Sequence, residues 1–149
     1  MSGSPVAIVT GGSRGIGLAT ARRLAADHAV CIVGRDRAVL DAARAELAEL
    51  TDVVAVSADI GTDADVERIA AAAGELGEIA ALVNNAASRG PTALLHEQSL
   101  DEFREVVDVN LVGTVALTRA VLPAMIERGG GAIVNIGSIA GVEAYPLRS

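Results

Sequence analysis

The sequence predicts an α/β fold, a doubly wound parallel sheet of five strands in the order 3-2-1-4-5. Three observations predict it. Short β-branched apolar runs recur five times along the chain, each bounded by turn residues. Segments of helical periodicity fill the gaps between them. A polar residue or a glycine stands at or just past the end of every run: Thr10, Gly34, Asp59, Asn84 and Ser138. In such sheets ligands sit beyond the carboxyl ends of the strands, near the switch point between the first and fourth.

The elements follow in order. The first run, Val6–Val9, enters a turn with three glycines and then an Ala- and Leu-rich helix over Ile16–Ala26. The second strand, Ala29–Val33, precedes a helix over Ala38–Leu50, with Leu40, Ala43, Leu47 and Leu50 on one face. The third, Val53–Val56, precedes a helix over Asp63–Glu75 that carries Val66, Ile69 and Ala73. The fourth strand is Ile79–Val83. Ser99 with Glu102 three residues later predicts a capping box, opening a long helix towards Arg128. Pro123 is expected to bend or locally break that helix, and Gly129–Gly131 to end it. The fifth strand, Ala132–Ile136, follows. Right-handed crossovers stack these units on both faces of one sheet.

The 149 residues fit one domain, 1–149, large enough to bury about two-thirds of its unfolded surface. Half are hydrophobic, mostly Ala, Val, Leu and Ile, and Phe103 and Tyr145 are the only aromatics. A net charge of −7 without a basic stripe argues against a nucleic-acid partner. The apolar runs read as shorter than the roughly 18 residues a membrane span needs, so no membrane partner is expected. The single cysteine, Cys31, excludes an internal disulfide, reads as inert core and fits a reducing cytoplasm. His28 and His96 stand alone, so no metal site is expected. All twelve basic residues are arginine.

The turn Thr10-Gly11-Gly12-Ser13-Arg14-Gly15-Ile16-Gly17 carries the chemistry. Glycines let the backbone approach a bulky anion, and the helix N-terminus offers N–H groups and a positive dipole end to a pyrophosphate. The spacing Gly-x-x-x-Gly-x-Gly differs from the commoner Gly-x-Gly-x-x-Gly. Further motifs stand in register after it: Asp59-Ile60, Asn84-Asn85-Ala86-Ala87, Val109-Asn110-Leu111-Val112-Gly113, and Asn135-Ile136-Gly137-Ser138.

Together these motifs resemble the short-chain dehydrogenase/reductase family over the whole chain. The resemblance implies a Rossmann-like dinucleotide-binding domain and an oxidoreductase that moves a hydride between nicotinamide and a small alcohol/carbonyl substrate. It assigns cofactor binding to Thr10, Gly11, Ser13, Arg14, Gly15, Ile16, Gly17, Arg35, Asp59, Ile60, Asn85, Ala86 and Ala87, and active-site positions to Asn110 and Ser138. It also implies a homo-oligomer formed through the long helix, where Leu111, Val115 and Val121 could serve an interface or the core.

Several residues have a plainer reading beside this one. Asp59 could contact the adenine or merely cap a turn, and Asn84 and Asn85 could line the ribose or be turn formers. Ala87 stands where the family has glycine, a strain of about 1 kcal/mol if that position needs a positive φ. The second strand ends Gly34-Arg35, with Asp36 pushed into the next turn. Arg35 and Arg14 could fork onto a 2′-phosphate, which favours NADP over NAD, or could be solvated arginines with Asp36 swinging back to a ribose.

In the family a Tyr-x-x-x-Lys pair about a dozen positions after the serine supplies the proton. Here Tyr145 comes too early and there is no lysine. The expectation is a truncated family fold, incomplete at its C-terminus, inactive alone, with the fifth strand an unprotected edge. The alternative is a non-catalytic nucleotide-binding or oligomerisation module.

Overall fold

A computed structural model describes residues 4–143, 146 and 147. Five strands form one parallel sheet in the order β3-β2-β1-β4-β5. They are β1 (Val6–Thr10), β2 (Ala29–Gly34), β3 (Val53–Ser57), β4 (Ile79–Asn84) and β5 (Ala132–Asn135). The helices are α1 (Gly15–Leu24), α2 (Arg37–Leu47), α3 (Asp63–Leu76), α4 (Leu100–Val107) and α5 (Thr114–Glu127). Thr10 pairs with Val33 across β1 and β2, and Gly34 with Ser57 across β2 and β3, so three strand ends lie level. The predicted fold and strand order are those observed.

Strands buried on both faces need apolar residues at successive positions, and β1 supplies four, Val6–Val9, all fully buried, before the buried Thr10. Alternate residues feed two cores. Ile8, Cys31 and Val33 join Val66 and Ile69 of α3 and Leu117 and Val121 of α5. Val9, Val30 and Ile32 join Ala21 of α1 and Leu40, Ala43 and Leu47 of α2 on the other face. Burial pushes the Cys31 thiol up to about 12, which keeps it an inert core residue.

The long helix differs from expectation at two points. The capping box is present: Glu102 N donates to Ser99 Oγ (3.1 Å) and Ser99 N to Glu102 Oε2 (3.2 Å). The interruption, however, is a π-helical turn at Asp108–Gly113, not Pro123. At that turn the backbone passes close to the loop after β3, and a Cβ on Gly113 would run into the carbonyl of Ile60. Pro123 sits inside α5 without breaking it. Pro123 and Arg119 are both exposed, so water can satisfy the carbonyl that the proline leaves unpaired.

The whole helical stretch Leu100–Glu127 has a mean hydropathy of 1.6 over its most apolar window, long and apolar enough by length and composition to cross a membrane. This corrects the expectation of shorter apolar runs only. In this fold Leu117, Val121 and Met125 turn one face of the stretch onto the sheet.

β5 pairs with β4 on one side and is exposed along its length. Ile133 and Val134 are 37% and 48% exposed, so the expected exposed edge is observed.

Candidate functional site

The glycine turn joins β1 to α1 at the switch point. Gly11 and Gly15 have φ of 63° and 55°, a region that side chains rarely adopt. A Cβ on Gly11 would stand 2.7 Å from Asn85 Nδ2, and one on Gly17 would strike the carbonyl of Gly11. These two glycines let the turn close on itself and on β4. Gly15 is different: no atom beyond its neighbours lies within 4 Å of its Cβ position. Arg14 caps α1 in an extended conformation and gives it no side-chain hydrogen bond. The first-turn amides of α1 therefore start beside open space, a fit for the phosphates of a dinucleotide.

Thr10 is wholly buried beneath the turn. Its Oγ1 accepts from Asn85 N (2.9 Å) and Ala86 N (3.0 Å) and donates to Val83 O (3.4 Å). Asn85 Nδ2 in turn donates to Thr10 O (2.9 Å). The ends of β1 and β4 are thus clamped together by side chains where sheet pairing stops. Asn84 acts on the other side, donating from Nδ2 to Asn135 Oδ1 (2.8 Å) and Thr118 Oγ1 (3.2 Å).

A cavity of about 830 Å³ opens above these strand ends, within the range of small-molecule sites. Of the predicted cofactor residues, Gly11, Ser13, Arg14, Gly15, Ile16, Arg35, Asp59, Ile60, Asn85, Ala86 and Ala87 line it. Thr10 and Gly17 do not; they support it from below. Ala87 has no positive φ, because Leu147 is the only non-glycine residue with one among those described. The strain considered for Ala87 is therefore absent.

Two acidic residues at the cavity are held in different ways. Asp36 is the N-cap of α2, its Oδ1 accepting from Ala38 N (3.0 Å) and Val39 N (3.2 Å). Asp59 Oδ1 accepts from Gly61 N within its turn (2.9 Å), while Oδ2 lies 3.8 Å from Arg35 Nη1. Asp59 N donates to Asp65 Oδ2 (2.7 Å), and Arg68 donates to Asp65 Oδ1. The amide of Asp59 and then Arg68 hold the Asp65 carboxyl below its usual range.

Asn110 and Ser138 do not line the cavity. Asn110 clasps the backbone of Ser88 at both ends of its amide: Ser88 N donates to Oδ1 (2.8 Å) and Nδ2 donates to Ser88 O (2.9 Å). Ser138 Oγ accepts from Ala140 N (3.1 Å), capping a 3₁₀ turn at Ile139–Gly141. Tyr145 lies outside the described residues. Val121 is fully buried and belongs to the core, whereas Leu111 and Val115 are 61% and 51% exposed. No group of three or more potential metal ligands occurs among the described residues.

Sequence reasoning missed Val39, Ala58, Arg89 and Val109 on the cavity wall. It also missed Glu105, which lies 3.8 Å from Arg35 Nη1. The apolar three sit in helical or strand patterns that read as core. Arg89 and Glu105 are separated from Arg35 by more than 50 positions in sequence, and no spacing rule links them.

The family model described as short chain dehydrogenase matches residues 5–149. The chain is 40% identical over 138 residues to carbonyl reductase family member 4 of Xenopus tropicalis, covering 91% of this chain and 57% of that protein. It is 36% identical to the NADP-dependent 3-hydroxy acid dehydrogenase YdfG of Salmonella typhi, covering 94% of this chain and 56% of that one. Among solved structures, NAD+-bound xylitol dehydrogenase superposes with a TM-score of 0.89 at 32% identity, covering 97% of this chain and 56% of that one. The chain therefore spans a little over half the length of these relatives, one of which is NADP-dependent by name and one solved with NAD+ bound.

Proposed function

The chain belongs to the short chain dehydrogenase family, and on that premise we propose that its cavity binds a nicotinamide dinucleotide for hydride transfer with a small alcohol or carbonyl compound. One observation carries the reading. The uncapped start of α1, at a left-handed glycine with open space over it, faces the cavity that extends to Arg35. When bound, the dinucleotide supplies or takes up the hydride. The residues of this chain do the holding: the first-turn amides of α1 take the pyrophosphate, Ile60 and the Asp59 turn bound the adenine, and Asn85 to Ala87 bound the ribose on the nicotinamide side. Thr10 and Gly17 keep these groups in place without touching the cofactor.

NADP is the preferred cofactor in this reading. Its support is that Arg35 stands at the tip of β2 while the neighbouring Asp36 is engaged through Oδ1 as the N-cap of α2. Asn110 acts by holding the Ser88 backbone, and Ser138 orients the substrate. The exposed Leu111 and Val115 suit a homo-oligomer, and the reduced, buried Cys31 suits a cytoplasmic location. A non-catalytic nucleotide-binding module is the second reading, favoured by the local backbone bonds that occupy both Asn110 and Ser138.

The test is cofactor affinity. Arg35→Asp should weaken NADPH by at least about tenfold, the loss of one charge-assisted contact, and NADH far less. An equal loss of both would overturn the NADP preference, and a wild-type protein that binds neither would overturn the nucleotide site itself.

A further inference from the structure

Arg35 does not stand alone at the tip of β2. Its Nη1 lies 3.8 Å from Asp59 Oδ2 on one side and 3.8 Å from Glu105 Oε1 on the other. Asp59 belongs to the cavity wall. Glu105 does not: it comes from α4 and lines a shallow neighbouring depression with Ser88, Gly90, Pro91 and Glu102. Arg89 lines both depressions, so they are continuous at this border.

The charge balance follows from this placement. Asp59 and Glu105 both draw on the Arg35 guanidinium, so a phosphate dianion arriving at Arg35 would meet competition for that cation and repulsion from its two partners, with Arg14 and Arg89 as the other cations on the cavity wall. A ribose 2′-hydroxyl meets neither, because a hydroxyl can donate to a carboxylate. Asp59 is tied into its turn by Gly61 N, so it cannot leave without cost. Glu105 has no such side-chain tie to backbone among the described residues, and it is 60% exposed.

We propose that Glu105 is a specificity-determining residue that competes with a 2′-phosphate for Arg35 and so limits the NADP preference that Arg35 creates. This rests on the cofactor reading above, in which Arg35 meets the 2′-phosphate. Glu105 reaches across the cavity border from a helix that contributes nothing else to the adenosine end. Its effect is electrostatic and is therefore weakened by salt.

The experiment measures affinities of the whole protein for 2′,5′-ADP and 5′-AMP by calorimetry, in the wild type, Glu105→Gln, Arg35→Gln and the double variant. Glu105→Gln should tighten 2′,5′-ADP by about fivefold, the upper range for an exposed ion pair, and leave 5′-AMP unchanged. The gain should vanish in the Arg35→Gln background and shrink at high salt. Equal affinities of Glu105→Gln and wild type for 2′,5′-ADP would overturn the proposal, as would a gain that persists without Arg35. The failure of the cofactor reading looks different: Arg35→Gln would then leave the preference for 2′,5′-ADP over 5′-AMP untouched. Urea unfolding of each variant separates a change in affinity from a change in folding.

Discussion

The two sides of the sheet's carboxyl edge are built in contrasting ways. On the β1–β3 side, three strand ends lie level, and a glycine turn, an arginine and a tied aspartate surround one cavity. On the β4–β5 side, Asn110 and Ser138 are exposed, and each is engaged with nearby backbone. The first side is a preorganised cradle whose parts hold one another through close approach and buried hydrogen bonds. The second presents polar groups on a π-helical turn and on the turn that follows β5, each held by a single stretch of backbone. Nucleotide binding should therefore depend steeply on the first side and weakly on the second.

The largest expected effect comes from breaking the cradle itself. Gly17→Val would force a side chain into the carbonyl of Gly11 and against Asn85 Nδ2, with a loss of about 3 kcal/mol in urea unfolding and no measurable NADPH binding. Next comes the clamp that joins the two sides. Thr10→Val keeps the volume but leaves the amides of Asn85 and Ala86 without their acceptor, so it should cost about 2 kcal/mol and weaken NADPH binding.

On the exposed side, Asn110→Ala releases the Ser88 backbone from a solvent-accessible clasp. It should cost about 1 kcal/mol or less and leave the affinity for 2′,5′-ADP unchanged. A comparable loss of affinity would erase the contrast between the two sides.

The smallest effect is a pH dependence. The carboxyl of Asp65 is held below its usual range by the amide of Asp59 and by Arg68, so it stabilises the fold above the ordinary carboxylate value. That contribution fades as pH falls through the depressed value. Acid unfolding of Asp65→Asn against wild type should therefore show a wild-type advantage near neutral pH that closes in acid. A gap that is constant with pH would contradict it.

Much of the cradle was legible in the chain because its determinants are local. Glycine spacing reports backbone conformation and close approach, and Gly11 and Gly15 both hold the positive φ that such a turn demands. The apolar runs marked the five strands for the same reason, since residues buried on both faces must be apolar in succession, and the topology of doubly wound sheets then supplied their order. The π-helical turn was not legible, because it follows from how closely Gly113 meets the loop at Ile60. Nor was the tolerance of Pro123, which depends on which face of α5 meets solvent. Arg35 was legible as a residue at a strand tip, but its second carboxylate partner was not. Glu105 reaches it only through the packing of α4, and its own neighbourhood reads as an ordinary charged helix face.

The most direct test of the cradle is to titrate isotope-labelled protein with 2′,5′-ADP and follow its backbone amides by NMR. Shifts should concentrate at Gly11, Ser13, Gly15, Arg35 and Ile60, with Ile133 and Ser138 nearly still. Shifts centred on β5 and Ser138, or none at millimolar ligand, would contradict the account.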